Sequence, residues 1–156
     1  MKFYRNKKGG SGTVELAPAL IVIFIVVLIP MLDLLYLGLA YAAGWYCNHL
    51  VVREVACRDP NGGSPNAAAA AATSAWAGTG LAKFIGAGTG QVTNTIKFLP
   101  PGTPSPGLPP ASCFVSTQVT VKPFLPIPFF MQVEGLNKAV IFGYGAERPQ
   151  EEKGIQ

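Results

Sequence analysis

The feature that most constrains this chain is a long uncharged apolar run near its N-terminus. Residues 16–32 carry no charged side chain, Asp33 interrupts the run, and residues 34–47 are again uncharged. A membrane-spanning helix needs about 20 predominantly apolar residues, and this run is long enough. We therefore predict a transmembrane helix that begins near Val14 and ends near Leu34, with Asp33 at the outer interface of the membrane.

The distribution of charge predicts how this helix is oriented. The net charge is +4, and four of the 12 basic residues lie in the first ten positions, which leaves eight basic against eight acidic residues in the remainder. Basic residues beside a span remain in the cytoplasm. We expect a single-pass membrane protein with a cytoplasmic N-terminus and an extracytoplasmic C-terminal head. With no excess of positive charge in the head, we do not expect nucleic-acid binding.

Two simpler interpretations of the apolar run stay open. The segment Ala40–Ala42 is similar to a signal-peptidase cleavage site, which would give a secreted binding module that starts near Ala43. The apolar region before it is about twice the usual 7–15 residues, which favours a retained span. The second interpretation is an uncleaved, signal-anchored envelope protein with a small binding head.

A short pattern precedes the apolar run. Basic residues lead to Gly10, Ser11 follows, and Glu15 is the fifth residue after that glycine. This pattern resembles the processing site of type IV prepilins, in which a membrane-embedded aspartic peptidase cuts after the glycine on the cytoplasmic side. The resemblance implies that residues 1–10 are a leader, that the mature chain begins at Ser11, and that Glu15 pairs with the terminal amine of a neighbouring subunit. A carboxylate at the edge of an apolar helix is costly unless it is paired.

A closer resemblance extends over residues 7–40. Val14, Glu15, Pro18 and Asp33 follow the outline of TadE-like pseudopilins, which are minor pilin-like components of the tight-adherence (Flp) pilus. This resemblance implies a subunit that helps to assemble such a pilus or a related secretion fibre. The implied assembly residues are Glu15 and Asp33. The implied partners are a prepilin peptidase, other pilin-like subunits, the pilus assembly machinery and the membrane.

Breaker residues and hydrophobic periodicity indicate the remaining organisation. Residues 59–63 read Asp-Pro-Asn-Gly-Gly, which predicts the end of a long helix over residues 11–58. Residues 59–156 would form a small extracytoplasmic head. In it, Ser64 and Pro65 predict the start of a second helix over residues 66–85, with Gly78 and Gly80 as candidate earlier ends. Alternation of apolar and polar residues predicts three strands, Gln91–Leu99, Phe114–Lys122 and Lys138–Glu147. We expect an α+β, pilin-like fold with a small antiparallel sheet of about three strands.

One proline-rich apolar segment of the head is a candidate contact patch. Prolines within residues 124–131 exclude a helix or a central strand. The large apolar side chains of this segment are those of Phe124, Leu125, Ile127, Phe129, Phe130 and Met131. Phe124, Phe129, Phe130 and Met131 either pack on the long helix or form an exposed patch that contacts a neighbouring subunit or the membrane surface.

The three cysteines predict one disulfide and one spare thiol, because all lie on the extracytoplasmic side. We favour the pair Cys57–Cys113, since both residues are in the predicted head region. A bond between Cys47 and Cys113 stays possible.

The sequence lacks the residue sets of the common enzyme classes. His49 is the single histidine, and it lies two residues from Cys47, so the two point to different sides of a helix. This spacing does not favour a metal site. The chain shows neither a nucleophile–base motif nor a phosphate-binding loop. We expect no catalytic activity, no cofactor and no small-molecule substrate.

Overall fold

The structure, a computed structural model, describes residues 11–58, 64–99, 112–124, 135 and 138–150, with the backbone alone for residues 11–15. The first element is a single helix, α1, over Ser11–Ala56. Its 46 residues correspond to about 69 Å at 1.5 Å per residue. The helix continues through Pro18 and Pro30. The predicted long helix is thus confirmed, with its end two residues before Arg58.

Helix α1 has a bare part and a covered part. From Leu16 to Leu32 no side chain is buried, and we call this stretch the bare segment. From Asp33 onward a stripe of buried residues follows the helical period: Asp33, Tyr36, Ala40, Ala43, Cys47, Val51 and Val55. The head packs along this stripe and its flanking residues, so the N-terminal part of α1 extends beyond the head.

The helical part of the head begins where the sequence predicts. Helix α2 spans Pro65–Ala77, and the Ser64 side chain accepts a hydrogen bond from the backbone N–H of Ala67. The predicted helix over residues 66–85 is divided in two, because α2 ends at Gly78 and a short helix, α3, runs over Gly80–Phe84. Thr79 caps this second piece, since its Oγ1 accepts from the backbone N–H of Ala82 at 3.3 Å.

Three antiparallel strands complete the head and confirm the predicted α+β layout. Strands β1, Val92–Leu99, β2, Ser112–Val121, and β3, Val140–Pro149, pair in the order β1-β2-β3. On β2 the inward residues are buried and face the core that α1 and α2 share with the sheet: Cys113, Val115, Thr117, Val119 and Val121. The opposite face of β2 is half-buried or exposed.

The sheet lies along α1 with a fixed polarity. The Thr117 hydroxyl contacts the Asn48 side chain, and the Tyr144 hydroxyl donates to the Tyr41 carbonyl oxygen at 2.9 Å. Further toward the N-terminus of α1, the ring of Phe124 lies 5.4 Å from the ring of Tyr36. The C-terminal end of β2 and the N-terminal end of β3 therefore lie beside the part of α1 that adjoins the bare segment.

Candidate functional site

The bare part of α1 has the length of a membrane span. The helix is long and apolar enough to cross a bilayer, with a mean hydropathy of 2.9 over its most apolar window. The bare part, from Leu16 to Leu32, rises about 25 Å, and the helix backbone from Ser11 to Leu32 rises about 33 Å, whereas the hydrocarbon core of a bilayer is about 30 Å thick. A helix placed across a bilayer in this way would leave the hydrocarbon at Asp33, where the head begins to cover it.

Asp33 lies at this boundary with an exposed fraction of 0%. We predicted it at the outer interface of the membrane, and the structure puts it beneath the head. One turn further along α1, the Tyr36 hydroxyl donates a hydrogen bond of 2.7 Å to the Ile85 carbonyl oxygen. With α1 across a bilayer, the cover that the head provides would shield Asp33 from the lipid, where a carboxylate is costly.

Beyond the span, α1 exposes a second apolar surface on the side away from the head. We call it the outer face, and it consists of Leu34, Leu35, Leu39, Trp45 and Tyr46. Their exposed fractions range from 41% for Leu39 to 65% for Leu34. Tyr41 is also half-exposed, but its ring packs on the head, 5.7 Å from the ring of Phe142 and 5.3 Å from that of Tyr144. From Asp33 to Tyr46 the helix rises about 20 Å, so this surface continues well past the length that a bilayer needs. A contiguous apolar surface of this kind indicates a site of interaction.

A series of side-chain hydrogen bonds, which we call the polar chain, crosses the core of the head from α1 to α2. Thr117 Oγ1 lies 2.9 Å from Asn48 Oδ1 and 2.8 Å from Asn94 Oδ1. Asn94 Nδ2 donates to Thr73 Oγ1, and Thr73 Oγ1 donates to the Ala69 carbonyl oxygen, each at 2.8 Å. Asn48, Thr73 and Thr117 are buried.

The donor count of this chain fixes its direction. A hydroxyl has one hydrogen, so Thr117 can donate to only one of its two amide neighbours. We assign the Asn48 amide with Nδ2 toward Thr117, after which every side chain donates to the next one, from Asn48 through Thr117, Asn94 and Thr73 to the backbone of α2. Each hydrogen bond along the path then has one donor and one acceptor, which gives this core a specific arrangement.

The cysteines occupy three different environments. Cys47 and Cys113 are buried, and Cys57 is exposed just after the end of α1. Burial raises the pKa of the Cys47 thiol to about 12. Burial also raises the pKa of Cys113, to which Cys57 is close enough to contribute electrostatically. All three are thiols in the structure, and the pairing of Cys57 with Cys113 stays a prediction.

Several predicted site residues lie outside the described residues. These are Gly10, the side chains of Ser11 and Glu15, and three members of the proline-rich patch, Phe129, Phe130 and Met131. Of that patch Phe124 is described, and its ring is 53% exposed while it touches Tyr36. Over the described ranges, no three histidine, cysteine or acidic side chains come together in a group that could hold a metal ion.

The polar chain is not among the features predicted from the sequence, although the sequence carries a signal for it. Thr117 and Asn94 occupy inward positions of two predicted strands, and Asn48 falls in the buried stripe of the long helix. Polar residues at inward positions of three elements indicate a shared hydrogen-bond network, because buried polar groups need partners.

Comparison with known proteins gives no further guide, since the chain matches no protein-family model, no curated protein and no solved structure.

Proposed function

We propose that this protein is a minor pilin-like subunit, similar to TadE-like pseudopilins, that helps to assemble a tight-adherence pilus or a related secretion fibre. A prepilin peptidase removes residues 1–10, and the mature chain is held in the inner membrane with its N-terminus in the cytoplasm. Its head lies outside the cytoplasm. The role is one of assembly through α1 rather than catalysis.

The observation that carries this proposal is the outer face of α1. A helix that only anchors a head in a membrane needs about 20 apolar residues. Here the apolar surface continues to Tyr46, where water would surround it in an isolated subunit. Packing of α1 against the same helix of neighbouring subunits would cover both the bare segment and the outer face. Aromatic side chains such as Trp45 and Tyr46 are typical of surfaces that bury area on association.

The N-terminal pattern supports the same proposal independently. A leader with four basic residues ends in Gly10, and Glu15 lies at the start of the apolar helix. In a plain anchor the carboxylate of Glu15 would simply face lipid headgroups. In a fibre it would meet the new amine of Ser11 from a neighbour, and an ion pair in an apolar setting offsets the cost of removing both charges from water.

The first test is the mass of the intact protein extracted from membranes of cells with and without their prepilin peptidase. We expect a chain that begins at Ser11 only when the peptidase is present. Gly10→Val should abolish this cleavage, whereas the matched change Gly9→Val should leave it in place, because cleavage is proposed to follow Gly10. A chain that retains Met1 in both strains would contradict the proposal and support an uncleaved envelope anchor.

A second test separates insertion from assembly. Glu15→Ala should leave the protein in the membrane fraction but reduce its incorporation into sheared fibres about tenfold or more, since a lost buried ion pair costs several kcal/mol. Glu54→Ala is the matched control, because Glu54 is an exposed glutamate on the outer part of the same helix. Normal incorporation of the Glu15 variant would show that the pairing between carboxylate and amine is wrong.

A further inference from the structure

The end of the head nearest the bare segment carries another exposed apolar surface, separate from the outer face of α1. We call it the membrane-side patch, and it consists of Leu81 and Phe84 on α3 and of Phe124 after β2. These side chains are 42%, 55% and 53% exposed. The rings of Phe84 and Phe124 lie 5.9 Å and 5.4 Å from the ring of Tyr36. The patch is therefore fixed to α1 one turn after Asp33.

The position of the patch along α1 corresponds to the headgroup layer of a membrane. Tyr36 lies about 6 Å along the helix axis from Leu32, the last residue of the bare segment. The headgroup region on each side of the hydrocarbon is about 5–8 Å thick. Tyrosine and other aromatic side chains concentrate in that layer, where one part of the ring system is in contact with acyl chains and the other with water.

Basic residues accompany the patch. Lys83 lies between Leu81 and Phe84 on α3, and Lys122 precedes Phe124 by two residues. Lys138 lies beside the turn at Gly135, whose backbone N–H bonds to the Lys138 carbonyl oxygen and which approaches Leu37. Glu147 is at the other end of the sheet, where it accepts a hydrogen bond from Ser112. The acidic residue described near the patch is Asp33, which is buried.

We propose that the membrane-side patch docks the head on the outer surface of the bilayer that α1 crosses, with anionic phospholipid as its partner. Leu81, Phe84 and Phe124 enter the boundary between headgroups and acyl chains, and Lys83 and Lys122 reach lipid phosphates. Apolar burial and attraction to anionic lipid both stabilise this arrangement. The inference rests on the membrane insertion of α1 that the proposed function includes, but not on cleavage at Gly10 or on fibre assembly.

The test uses the full chain in vesicles of phosphatidylcholine with phosphatidylglycerol, with Cys57→Ser to remove the exposed thiol. A spin label is attached at Gly80→Cys, next to Leu81, where an added side chain meets nothing within 4 Å. Reference labels are placed at Ile23→Cys in the bare segment and at Thr95→Cys on the exposed face of β1. We expect the label at position 80 to be relaxed more by oxygen than by a water-soluble nickel chelate, as at position 23, and the label at 95 to show the reverse.

Two variants determine which groups dock the head. Replacement of Leu81, Phe84 and Phe124 by serine should shift the label at position 80 to the behaviour of position 95. Lys83→Gln with Lys122→Gln leaves the apolar surface unchanged, and each change should lower the ratio of docked to undocked heads about fivefold in anionic vesicles. The same lysine variants should have no effect in vesicles of phosphatidylcholine alone.

Three results would overturn the inference, and they are distinguishable. If position 80 is as open to the nickel chelate as position 95 while position 23 is in lipid, the docking is wrong and the anchoring is retained. If position 23 is also open to the chelate, the membrane insertion itself is wrong. If position 80 is shielded from both reagents in proportion to protein density in the vesicles, a second protein copy rather than lipid covers the patch.

Discussion

At the scale of single residues, Gly44 determines how closely α1 and β3 approach. A Cβ atom at position 44 would lie 2.5 Å from Tyr144 Oη and 2.6 Å from Tyr144 Cε2. The Tyr144 hydroxyl is held in place by its hydrogen bond to the Tyr41 carbonyl oxygen. Gly38 lies on the same helix, and a Cβ there meets nothing within 4 Å. The two glycines therefore form a matched pair.

We expect Gly44→Ala to lower the free energy of unfolding of the head by about 1–3 kcal/mol, because the tyrosine ring must move or the helix must shift. Gly38→Ala should be neutral or should raise that free energy by up to about 1 kcal/mol, through helix propensity alone. Chemical denaturation in detergent, followed by fluorescence of the buried Trp76, measures both. Equal effects of the two substitutions would contradict the close packing of Tyr144 on α1.

A second residue-scale prediction concerns alkaline pH. Burial raises the pKa of Cys47 to about 12 from an ordinary value of 9.0, and it raises the pKa of Tyr144 as well. Between pH 9 and pH 12 the unfolded chain loses the Cys47 proton while the folded chain keeps it. The stability contributed by the protonated thiol is therefore lost as pH rises through this range. Below pH 9 the Cys47 thiol is protonated in both states, so its contribution to the free energy of unfolding does not change with pH.

We therefore expect the head to unfold at progressively lower denaturant concentration from about pH 9 to about pH 12, and Cys47→Ala to reduce that slope. Cys57→Ser is the control and should leave the slope unchanged, because Cys57 is exposed. In the folded protein at pH 8, kept reduced so that Cys57 is a free thiol, a maleimide should modify Cys57 well before Cys47. Reaction of Cys47 at the rate of Cys57 would show that its burial is wrong.

At the scale of the elements, the polar chain ties α1, β1, β2 and α2 together. Thr117→Val keeps the shape of the side chain but removes the hydroxyl that joins Asn48 to Asn94. The buried amide of Asn48 and the half-buried amide of Asn94 then lose a partner, and we expect a loss of about 1–3 kcal/mol in the free energy of unfolding. Thr120→Val on the outward face of the same strand should change it by less than about 0.5 kcal/mol. Denaturant unfolding of the two variants measures the difference.

The helices and strands follow from local sequence signals, whereas the breaks within them and the contacts between them do not. Ser64 with Pro65 predicts the start of α2, and alternation predicts all three strands to within two residues, because caps and periodicity act over a few neighbours. The sequence marks Gly78 and Gly80 as candidate early ends of the second helix, but it does not show that a new helix starts at Gly80, since that depends on how Thr79 caps the next turn. The Asn48–Thr117 contact joins residues 69 positions apart, and no local pattern specifies such a pairing.

At the scale of the whole molecule, α1 is divided among three surroundings: the bare segment, the stripe under the head and the outer face. The length of the bare segment could be predicted from the sequence, because it depends only on where uncharged residues begin and end. The outer face could not, because Trp45 and Cys47 are both apolar and only the packing of the head shows that Trp45 is exposed while Cys47 is buried.

The outer face gives a prediction that separates folding from assembly. Leu39→Asn with Trp45→Gln should change the free energy of unfolding of the head by less than about 1 kcal/mol, because surface substitutions usually have small effects. The same pair should reduce incorporation into fibres severalfold. Ile141→Asn is the control, since Ile141 is 65% exposed on the sheet rather than on α1. Unchanged recovery of the double variant in sheared fibres would contradict a contact role for the outer face.

The polar chain has a consequence for the geometry of any assembly. Because Asn48 can bond to Thr117 at only one rotational setting of α1, the azimuth of the head around its own helix is fixed inside each subunit. The head and the outer face lie on opposite sides of that helix. Subunits that bury their outer faces against a common axis would therefore point every head radially outward, and the interior of each subunit would determine what the surface of the filament displays.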